Sequence, residues 1–362
     1  MPDDALTELV AQLVAIDSVN PELIAGARGE AELASFVAEW CRNAGLETEL
    51  VGPNDRPSVI AVKPGTGGGR SLMLNAHLDT VGVAGMDSPF EPSVESGRMY
   101  GRGTYDMKGG LAAIMDAAAR CEGLRGDAIV TAVADEELAS IGTAAVLEHT
   151  RADAAIVVEP TELKLAVAHK GFVGFEIETE GVAAHGSRPH LGVDAIAKMG
   201  PILVALKQLE ERLQTGTRHP LVGPGSAHAS LIEGGQEFSS YPARCLVTGE
   251  RRTIPGETVA QVERELREIA GNAELRIGVH RDPFEIASGH PFVQVVRRVS
   301  GEDEVGGVSY WADSGLIAAA GIPTVLYGPI GEGAHAAVEW VDLASVERVR
   351  DVCVGVASEW CA

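Results

Sequence analysis

The sequence predicts an α/β catalytic domain built on a mixed, largely parallel sheet, with a smaller α+β domain inserted into it. Four short apolar or β-branched runs have the length of buried strands: 58–62, 72–76, 128–134 and 154–158. Helical patterns lie between them, and strands that alternate with helices are typical of α/β domains. The pattern then changes, and the alternation returns near 293–299 and 324–327. We therefore expect residues 1–170 and 283–362 to form the catalytic domain and residues 171–282 to form the inserted one.

Apolar spacing and end signals place the helices of the catalytic domain. Apolar residues recur at helical spacing over residues 6–14, and Asp3 or Asp4 can cap this helix. A second helix fits Ala31–Ala44, and Gly45 is suited to end it. Two further helical patterns lie between predicted strands: 107–121 and 141–149.

The inserted domain combines half-exposed strands with helices. Phe175 and Ile177 alternate with Glu176 and Glu178, which is the pattern of an antiparallel strand with one face in solvent. The other elements that we predict here are a strand and two helices: 244–250, 193–213 and 257–270.

Length and charge restrict the classes of partner. The chain has 362 residues, which suits about two domains of ordinary size. It carries 29 basic and 52 acidic residues, which gives a formal net charge of −23. Because so acidic a surface repels phosphate backbones and anionic lipids, we expect no nucleic-acid partner and no membrane partner.

Cysteine usage and the absence of a leader pattern indicate a cytoplasmic protein. The five cysteines are odd in number and include no CxxC pair, which argues against a disulfide framework and a cysteine-rich zinc site. The N-terminal Met1-Pro2-Asp3-Asp4 is acidic where a signal peptide would be basic. The longest apolar stretch, 315–328, is interrupted by Gly321 and Pro323 and is too short to span a bilayer.

The first candidate site residue ends a predicted strand. His77 and Asp79 form an H-x-D at the carboxyl end of the strand, the edge at which open α/β sheets bind ligands. Asp79 could accept the second ring N–H of His77 and so fix the tautomer of a metal-ligating histidine. An ordinary structural histidine is the other interpretation.

A glycine-rich segment, Gly101-Arg102-Gly103-Thr104-Tyr105-Asp106-Met107-Lys108-Gly109-Gly110, precedes a predicted helix. It is not a dinucleotide-binding fingerprint, because Asp106 replaces the third glycine and its carboxylate would repel a pyrophosphate. Asp106 fits either a helix N-cap or a ligand at the same sheet edge as His77. We expect Arg102 and Lys108 to brace this turn.

Carboxylates also follow two later strands. The run Asp135-Glu136-Glu137 and the single Glu159 both come after apolar strands, and adjacent carboxylates repel each other unless a cation compensates. One carboxylate of the run can bind a metal while its neighbour acts as a base. His335, in a late glycine-rich segment, adds a second imidazole.

Taken together, these residues favour a metal site. Imidazole and carboxylate ligands suit zinc, with cobalt or manganese as alternatives, and so many carboxylates suit two metal ions about 3.5–4 Å apart. Competing catalytic signatures are missing from the sequence: G-x-S-x-G, the Walker loop and H-E-x-x-H.

The order of these motifs closely resembles that of the dinuclear zinc hydrolases, the family of acetylornithine deacetylase, succinyl-diaminopimelate desuccinylase, aminoacylase and carboxypeptidase G. The resemblance extends over nearly the whole chain, and its most specific motif is G-R-G-T-x-D-M-K-G-G. It implies a zinc-peptidase-like catalytic domain with two divalent metal ions per chain. It also implies that the inserted domain is a lid through which two subunits form a homodimer.

The resemblance implies a role for each catalytic-domain residue. Asp106 would bridge the two metal ions, and the other ligands would divide into two pairs: His77 with Glu159, and Glu137 with His335. Glu136 would be the general base, and Asp79 would orient His77.

Two residues of the inserted domain are similar to substrate-contacting residues of the family. His185, in Ala184-His185-Gly186-Ser187, would reach the partner subunit's site and stabilise the oxyanion, and Arg252 would contact the substrate carboxylate. The chain departs from the family at 238–242 (FSSYP), where relatives carry an asparagine shortly before the proline, and at Arg251, which is usually apolar.

The predicted function is metal-dependent hydrolysis of an amide bond next to a free carboxylate, in a small N-acyl amino acid, as in acetylornithine deacetylase. A metallo-carboxypeptidase or dipeptidase of the carboxypeptidase G type, acting on a short peptide, is the alternative, because both activities need the same metals and the same carboxylate anchor. A non-catalytic family member is the third interpretation, which an intact Glu136 and the complete ligand set disfavour.

Overall fold

The computed structural model describes residues 3–362. Met1 and Pro2, which begin the acidic N-terminus considered above, lie outside the described residues. The described chain forms two compact units. The first unit extends to Val167 and also contains Ile286–Gly306 and Ala312–Ala362, and the second consists of Ala168–Glu285 and Gly307–Trp311.

The helices, in chain order, are α1 (Asp4–Val14), α2 (Ala31–Asn43), α3 (Gly109–Arg120), α4 (Ile141–His149), α5 (Ala195–Thr215), α6 (Val259–Ala270), α7 (Pro291–Ser300), α8 (Ser314–Ala319) and α9 (Leu343–Trp360). No helix within residues 3–362 combines the length and the apolar character needed to cross a membrane.

The strands, in chain order, are β1 (Glu47–Val51), β2 (Ser58–Lys63), β3 (Leu72–His77), β4 (Ser93–Glu95), β5 (Arg98–Tyr100), β6 (Ala128–Val133), β7 (Ala154–Val157), β8 (Ala166–His169), β9 (Gly171–Glu180), β10 (Arg218–His219), β11 (Gly223–Pro224), β12 (Ser226–Gly234), β13 (Arg244–Thr253), β14 (Glu274–Arg281), β15 (Phe284–Glu285), β16 (Gly306–Val308), β17 (Thr324–Leu326), β18 (Gly331–Glu332) and β19 (Trp340–Asp342).

The mixed α/β fold class is confirmed by the main sheet of the first unit. Its strand order is β1-β2-β6-β3-β7-β17-β8. The pairs β6–β3, β3–β7 and β7–β17 are parallel, and the outer pairs are antiparallel. Strands β3, β6 and β7 are buried along their whole length, as expected of central strands that helices cover on both faces.

The helix ends agree with local capping chemistry. The Asp3 carboxylate accepts the backbone N–H groups of Ala5 and Leu6, which makes Asp3 the N-cap of α1. Helix α4 has the predicted bounds. Helix α3 begins at Gly109, two residues later than predicted, because residues 104–108 form a separate wide turn that carries Asp106.

The register of the parallel strands aligns their carboxyl ends. His77 at the end of β3 lies opposite Val133 at the end of β6, and Asn75 lies opposite Val157 at the end of β7. The residues that follow these strands therefore leave the sheet at one edge.

A small sheet in the first unit connects two distant loops. Its strand order is β18-β19-β5-β4, and all of its pairs are antiparallel. The β18–β19 hairpin carries His335, and β5 leads into the glycine-rich turn at Gly101. Because β19 pairs with β5, these two segments are neighbours although more than 200 residues separate them in sequence.

The second unit is an antiparallel sheet with strand order β12-β13-β9-β14, against which α5 and α6 pack. Phe175 and Ile177 of β9 lie in its core, and Glu176 and Glu178, which alternate with them, do not. Thr258 and Gln261 form a reciprocal capping box at the start of α6. In the described part of the chain β12 lies at the sheet edge, and its residues from His228 to Gly234 are exposed.

Candidate metal centre

Six of the predicted site residues come together at the carboxyl edge of the main sheet. They are His77, Asp106, Glu136, Glu137, Glu159 and His335. Four of them end or follow the parallel strands β3, β6 and β7, whereas Asp106 comes from the turn before α3 and His335 from the β18–β19 hairpin.

Asp106 lies between the two histidines. Its Oδ1 is 3.0 Å from Nε2 of His77, and its Oδ2 is 3.3 Å from Nε2 of His335. Glu159 Oε1 is 3.9 Å from the same nitrogen of His77, and Glu137 Oε2 is 3.1 Å from that of His335. The contacts therefore form two triads that share one carboxylate.

The two triads differ in burial. His77 and Glu159 are buried, whereas the side chain of His335 is 54% exposed. His335 has a φ of 62°, an uncommon left-handed conformation that turns its ring toward the cluster from the hairpin loop. Hydrogen bonds that His335 donates to the Asp106 and Glu137 carboxylates raise the pKa of His335 to about 10.

The His77 ring is oriented by a backbone group. Its Nδ1 lies 2.9 Å from the carbonyl oxygen of Asp79, to which it donates, and 3.7 Å from the nearer carboxylate oxygen. We expected the Asp79 carboxylate to make this contact. Because the carbonyl holds the proton on Nδ1, Nε2 is the ring nitrogen that faces the oxygens of Asp106 and Glu159, and a bound cation would take the place of its proton.

The Asp79 carboxylate instead fixes the loop after β6. Its Oδ1 accepts the backbone N–H of Glu136 at 3.0 Å, and its Oδ2 accepts that of Glu137 at 3.2 Å. The Asn20 amide also donates to Oδ2, at 2.8 Å. Burial raises the pKa of Asp79 to about 7, and the negative charges of Glu137 and Glu30 also raise it. The charge of His77 and the hydrogen bond from Asn20 lower this pKa, but by less than the other causes raise it.

A buried polar network continues behind this loop. Asn20 donates to Asp135 Oδ1 at 2.9 Å, and Arg56 lies 2.9 Å from the same oxygen. Arg56 is also paired with Glu30, whose Oε1 accepts the backbone N–H of Asp135. Asn20, Glu30 and Arg56 occur in no sequence motif and were not predicted to support the site, and no separate role was predicted for Asp135.

The residues at this edge fit divalent cations. Two sets of three potential ligands each have one donor atom within 4.8 Å of the others: His77, Glu136 and Glu159, and His77, Asp106 and Glu137. Glu137 Oε1 is buried and has no hydrogen-bond partner within residues 3–362. An unpartnered carboxylate oxygen and an imidazole nitrogen that face other carboxylates are the donor types that zinc-like ions bind.

The electrostatics of the cluster are also those of a cation site. Burial raises the pKa of Glu136 and Glu159 well above the usual value, and neighbouring carboxylates raise it further. Although burial opposes ionisation, contacts with His335 and His77 hold the pKa of Asp106 below its usual range. Although burial also opposes the charged form of His77, Asp106 and Glu159 raise the pKa of His77 well above its usual value.

His185 and Arg252 belong to the second unit. His185 is bridged through its backbone to Ser240, and its Nδ1 accepts the N–H of Ser187 at 3.2 Å. The ring proton of neutral His185 is therefore on Nε2. Arg252 is partly buried: its Nε donates to Glu250 at 2.5 Å, and its guanidinium lies 5.4 Å from the centre of the Phe172 ring.

Arg251, the neighbour of Arg252, is buried between two carboxylates. Its guanidinium contacts Glu257 Oε1 at 2.6 Å and Glu265 Oε2 at 3.3 Å. The positive charge of Arg251, which stands where the family usually has an apolar residue, is thus balanced by carboxylates of the second unit.

The sequence profile of "Peptidase family M20/M25/M40" matches residues 73–359. Among curated proteins, the chain is 31% identical to acetylornithine deacetylase of Erwinia tasmaniensis over 98% of this chain and 97% of the relative. It is 30% identical to acetylornithine deacetylase of Myxococcus xanthus, over 98% and 96%. It is 28% identical to N-formyl-4-amino-5-aminomethyl-2-methylpyrimidine deformylase of Halalkalibacterium halodurans, over 99% and 95%.

Solved structures share the fold. The aminopeptidase PepT of Bacillus cereus superimposes with a TM-score of 0.81 at 20% identity, covering 99% of both chains. The M20 family metallo-carboxypeptidase Sso-CP2 of Sulfolobus solfataricus does so with a TM-score of 0.78 at 18% identity, again covering 99% of both. The profile match and the relatives confirm the resemblance that the motifs predicted.

Proposed function

We propose that this chain, which belongs to peptidase family M20/M25/M40 and is a metal-dependent hydrolase, removes the acyl group from a small N-acyl amino acid. The observation that carries the proposal is the Asp106 carboxylate, whose two oxygens lie against His77 on one side and His335 on the other. The full-length similarity to acetylornithine deacetylases supports this substrate class.

We assign two cations to the two triads. His77 and Glu159 would hold one cation, Glu137 and His335 the other, and Asp106 would bridge them. The donors suit zinc, with cobalt or manganese as alternatives. When bound, such a pair lowers the pKa of a water molecule toward about 7 and polarises the scissile carbonyl.

Glu136 is the general base in this proposal. Its backbone is fixed by Asp79, and one of its carboxylate oxygens lies within 4.8 Å of donor atoms of His77 and Glu159. Glu136 accepts a proton from the attacking water and later delivers it to the leaving amine. A buried carboxyl group whose pKa is raised suits this exchange, because its two protonation states differ less in free energy at neutral pH.

The second unit supplies the remaining contacts. His185, with its proton on Nε2, would donate a hydrogen bond to the oxyanion in the partner subunit's site, a contribution of about 3–4 kcal/mol to transition-state binding. Arg252 would bind the substrate carboxylate. The exposed edge strand β12, on which Leu231 and Ile232 are 65% and 54% exposed, supports a homodimer formed through this unit.

A substrate panel tests the activity. We expect the purified enzyme to hydrolyse N-acetyl or N-succinyl amino acids, to lose this activity on chelation and to regain it when divalent metal is returned. Hydrolysis confined to dipeptides or C-terminal peptide bonds would assign the alternative carboxypeptidase or dipeptidase function. Glu136→Gln is the control: it should retain metal and lose most of its turnover, and near wild-type turnover would contradict the base assignment.

A complementation experiment tests the placement of His185. Glu136→Gln and His185→Ala should each be inactive, and mixing them should restore activity in heterodimers that combine one intact Glu136 with one intact His185. No recovery, with subunit exchange verified, would contradict the contribution across the dimer.

A further inference from the structure

Glu339 lies four residues after His335, and its carboxylate is completely buried. Each of its two oxygens accepts two hydrogen bonds. Oε1 accepts the backbone N–H groups of Tyr105 and Asp106, at 2.9 and 3.0 Å. Oε2 accepts the backbone N–H of Gly103 at 2.9 Å and Nη1 of Arg102 at 2.7 Å.

The backbone around Asp106 requires such an acceptor. Gly103 has a φ of 78°, and Asp106 departs from helical geometry, so the turn directs three N–H groups to one side instead of into a helix. N–H groups of one short turn that converge in this way form an anion-binding concavity. Glu339 fills it with a carboxylate from the loop directly before β19, more than 200 residues away in sequence.

Arg102 connects Glu339 to the loop that carries His335. Its side chain is 2% exposed, and its Nη2 donates to the carbonyl oxygens of Ala336 and Gly82, each at 3.0 Å. Ala336 follows His335 directly in the hairpin loop. The ion pair between Glu339 and Arg102 therefore holds the backbone of Asp106 through one partner and the backbone beside His335 through the other.

We propose that Glu339, with Arg102, is a positioning residue that sets the separation and orientation of Asp106 and His335. These two residues approach the cluster from outside the main sheet, so the parallel strands do not fix their spacing. The small sheet β18-β19-β5-β4 brings the segments together, and the Glu339–Arg102 pair determines their final geometry. The inference rests on the proposed metal function and adds a residue to it.

The direct test is metal binding by full-length Glu339→Gln. The glutamine amide has one acceptor oxygen in place of two, and it leaves Arg102 without its counter-charge. We expect the cation held by Glu137 and His335, whose site depends on the placement of both Asp106 and His335, to bind about 10- to 100-fold more weakly, the range for lost ligand-orienting partners. The cation held by His77 and Glu159 shares only Asp106 with that site and should be weakened less. We also expect an altered visible spectrum of the cobalt-substituted protein and a lower kcat at nearly unchanged KM.

Glu257→Gln is the matched control. It removes a carboxylate from another buried arginine, Arg251, in the second unit, so it should lower the melting temperature without changing metal affinity or the cobalt spectrum. If Glu339→Gln binds two cations with wild-type affinity and spectrum, Glu339 has no positioning role and the proposal is wrong. A wild-type protein that binds fewer than two cations would contradict the proposed function instead.

A second variant decides the question if Glu339→Gln does not fold. Arg102→Lys keeps a positive charge beside Glu339 but loses the fork that reaches Ala336 and Gly82. Weaker binding of one cation, with the other unaffected, supports the proposal. Unchanged binding of both overturns it.

Discussion

The Asp79 carboxylate holds the backbone of Glu136, with 3.0 Å between Asp79 Oδ1 and the Glu136 nitrogen. The same residue orients His77 through its carbonyl oxygen. One residue thus performs two tasks with two different groups: its main chain sets the tautomer of a proposed metal ligand, and its side chain fixes the proposed base.

Asp79→Asn should therefore separate turnover from metal binding. The carbonyl contact to His77 survives the substitution, whereas an amide cannot accept both N–H groups of the loop after β6. We expect kcat to fall about 10- to 100-fold, as for other groups that orient a catalytic shell. Elemental analysis should show wild-type metal content. Loss of metal would mean that the carboxylate itself is needed to position a proposed ligand, either His77 or Glu137, whose backbone N–H it accepts.

Arg56→Met should strongly destabilise the protein. Arg56 is paired with Glu30 and Asp135, and all three side chains are less than 10% exposed. Removing the arginine leaves two carboxylates buried without their cation, which typically costs about 3–5 kcal/mol of unfolding free energy. Urea denaturation measures this loss.

An exposed pair provides the comparison for Arg56. Arg298 contacts Glu359 at the surface, where both side chains are at least 40% exposed, so Arg298→Met should cost less than about 1 kcal/mol. Equal losses for the two variants would contradict the importance of the buried network.

Glu178 should make the stability of the second unit depend on pH. Hydrogen bonds from Arg244 and Arg276 lower the pKa of Glu178 from 4.5 to about 2. A carboxyl group whose pKa is depressed by folding stabilises the folded state above its unfolded pKa, and this contribution is lost as pH falls toward the folded pKa. Glu178→Gln should thus be less stable than wild type at pH 7, and the difference should shrink between pH 4.5 and 2. A difference that persists unchanged at pH 3 in urea denaturation would contradict the assignment.

Metal removal should reverse the effect that one substitution has on thermal stability. Without cations, burial opposes the charged form of Glu159, and repulsion from Asp106 and Glu137 adds to this, so the ligand that the loaded enzyme needs destabilises the empty one. In chelator, Glu159→Gln should melt at or above the wild-type temperature. With metal added, the wild type should gain more stability than the variant. A variant that is less stable than wild type in chelator would contradict this account of the cluster.

Much of the site could be predicted because parallel strands end at one edge. His77, Glu137 and Glu159 follow consecutive βα units, so their convergence needs no knowledge of long-range contacts. Asp106 was identified through a specific motif, although the wide turn that carries it delays the start of α3.

The residues that support the site could not be predicted in the same way. Asn20, Arg56 and Glu339 contact residues between 26 and 237 positions away and belong to no periodic pattern. Their side chains are of types that are usually exposed, so burial against a distant loop leaves no local signal. The carbonyl contact of Asp79 is invisible to sequence for another reason, because it depends on main-chain geometry.

The central claim is that one carboxylate, Asp106, is shared by two cation sites. The most direct measurement is a titration of metal-free protein with zinc or cobalt, with bound metal per chain determined by elemental analysis for wild type and Asp106→Ala. We predict two cations per wild-type chain, with hydrolysis returning as they bind, and weakened binding at both sites in the variant. A wild-type protein that saturates with one cation or none, or a variant that still binds two with wild-type affinity, would contradict the claim.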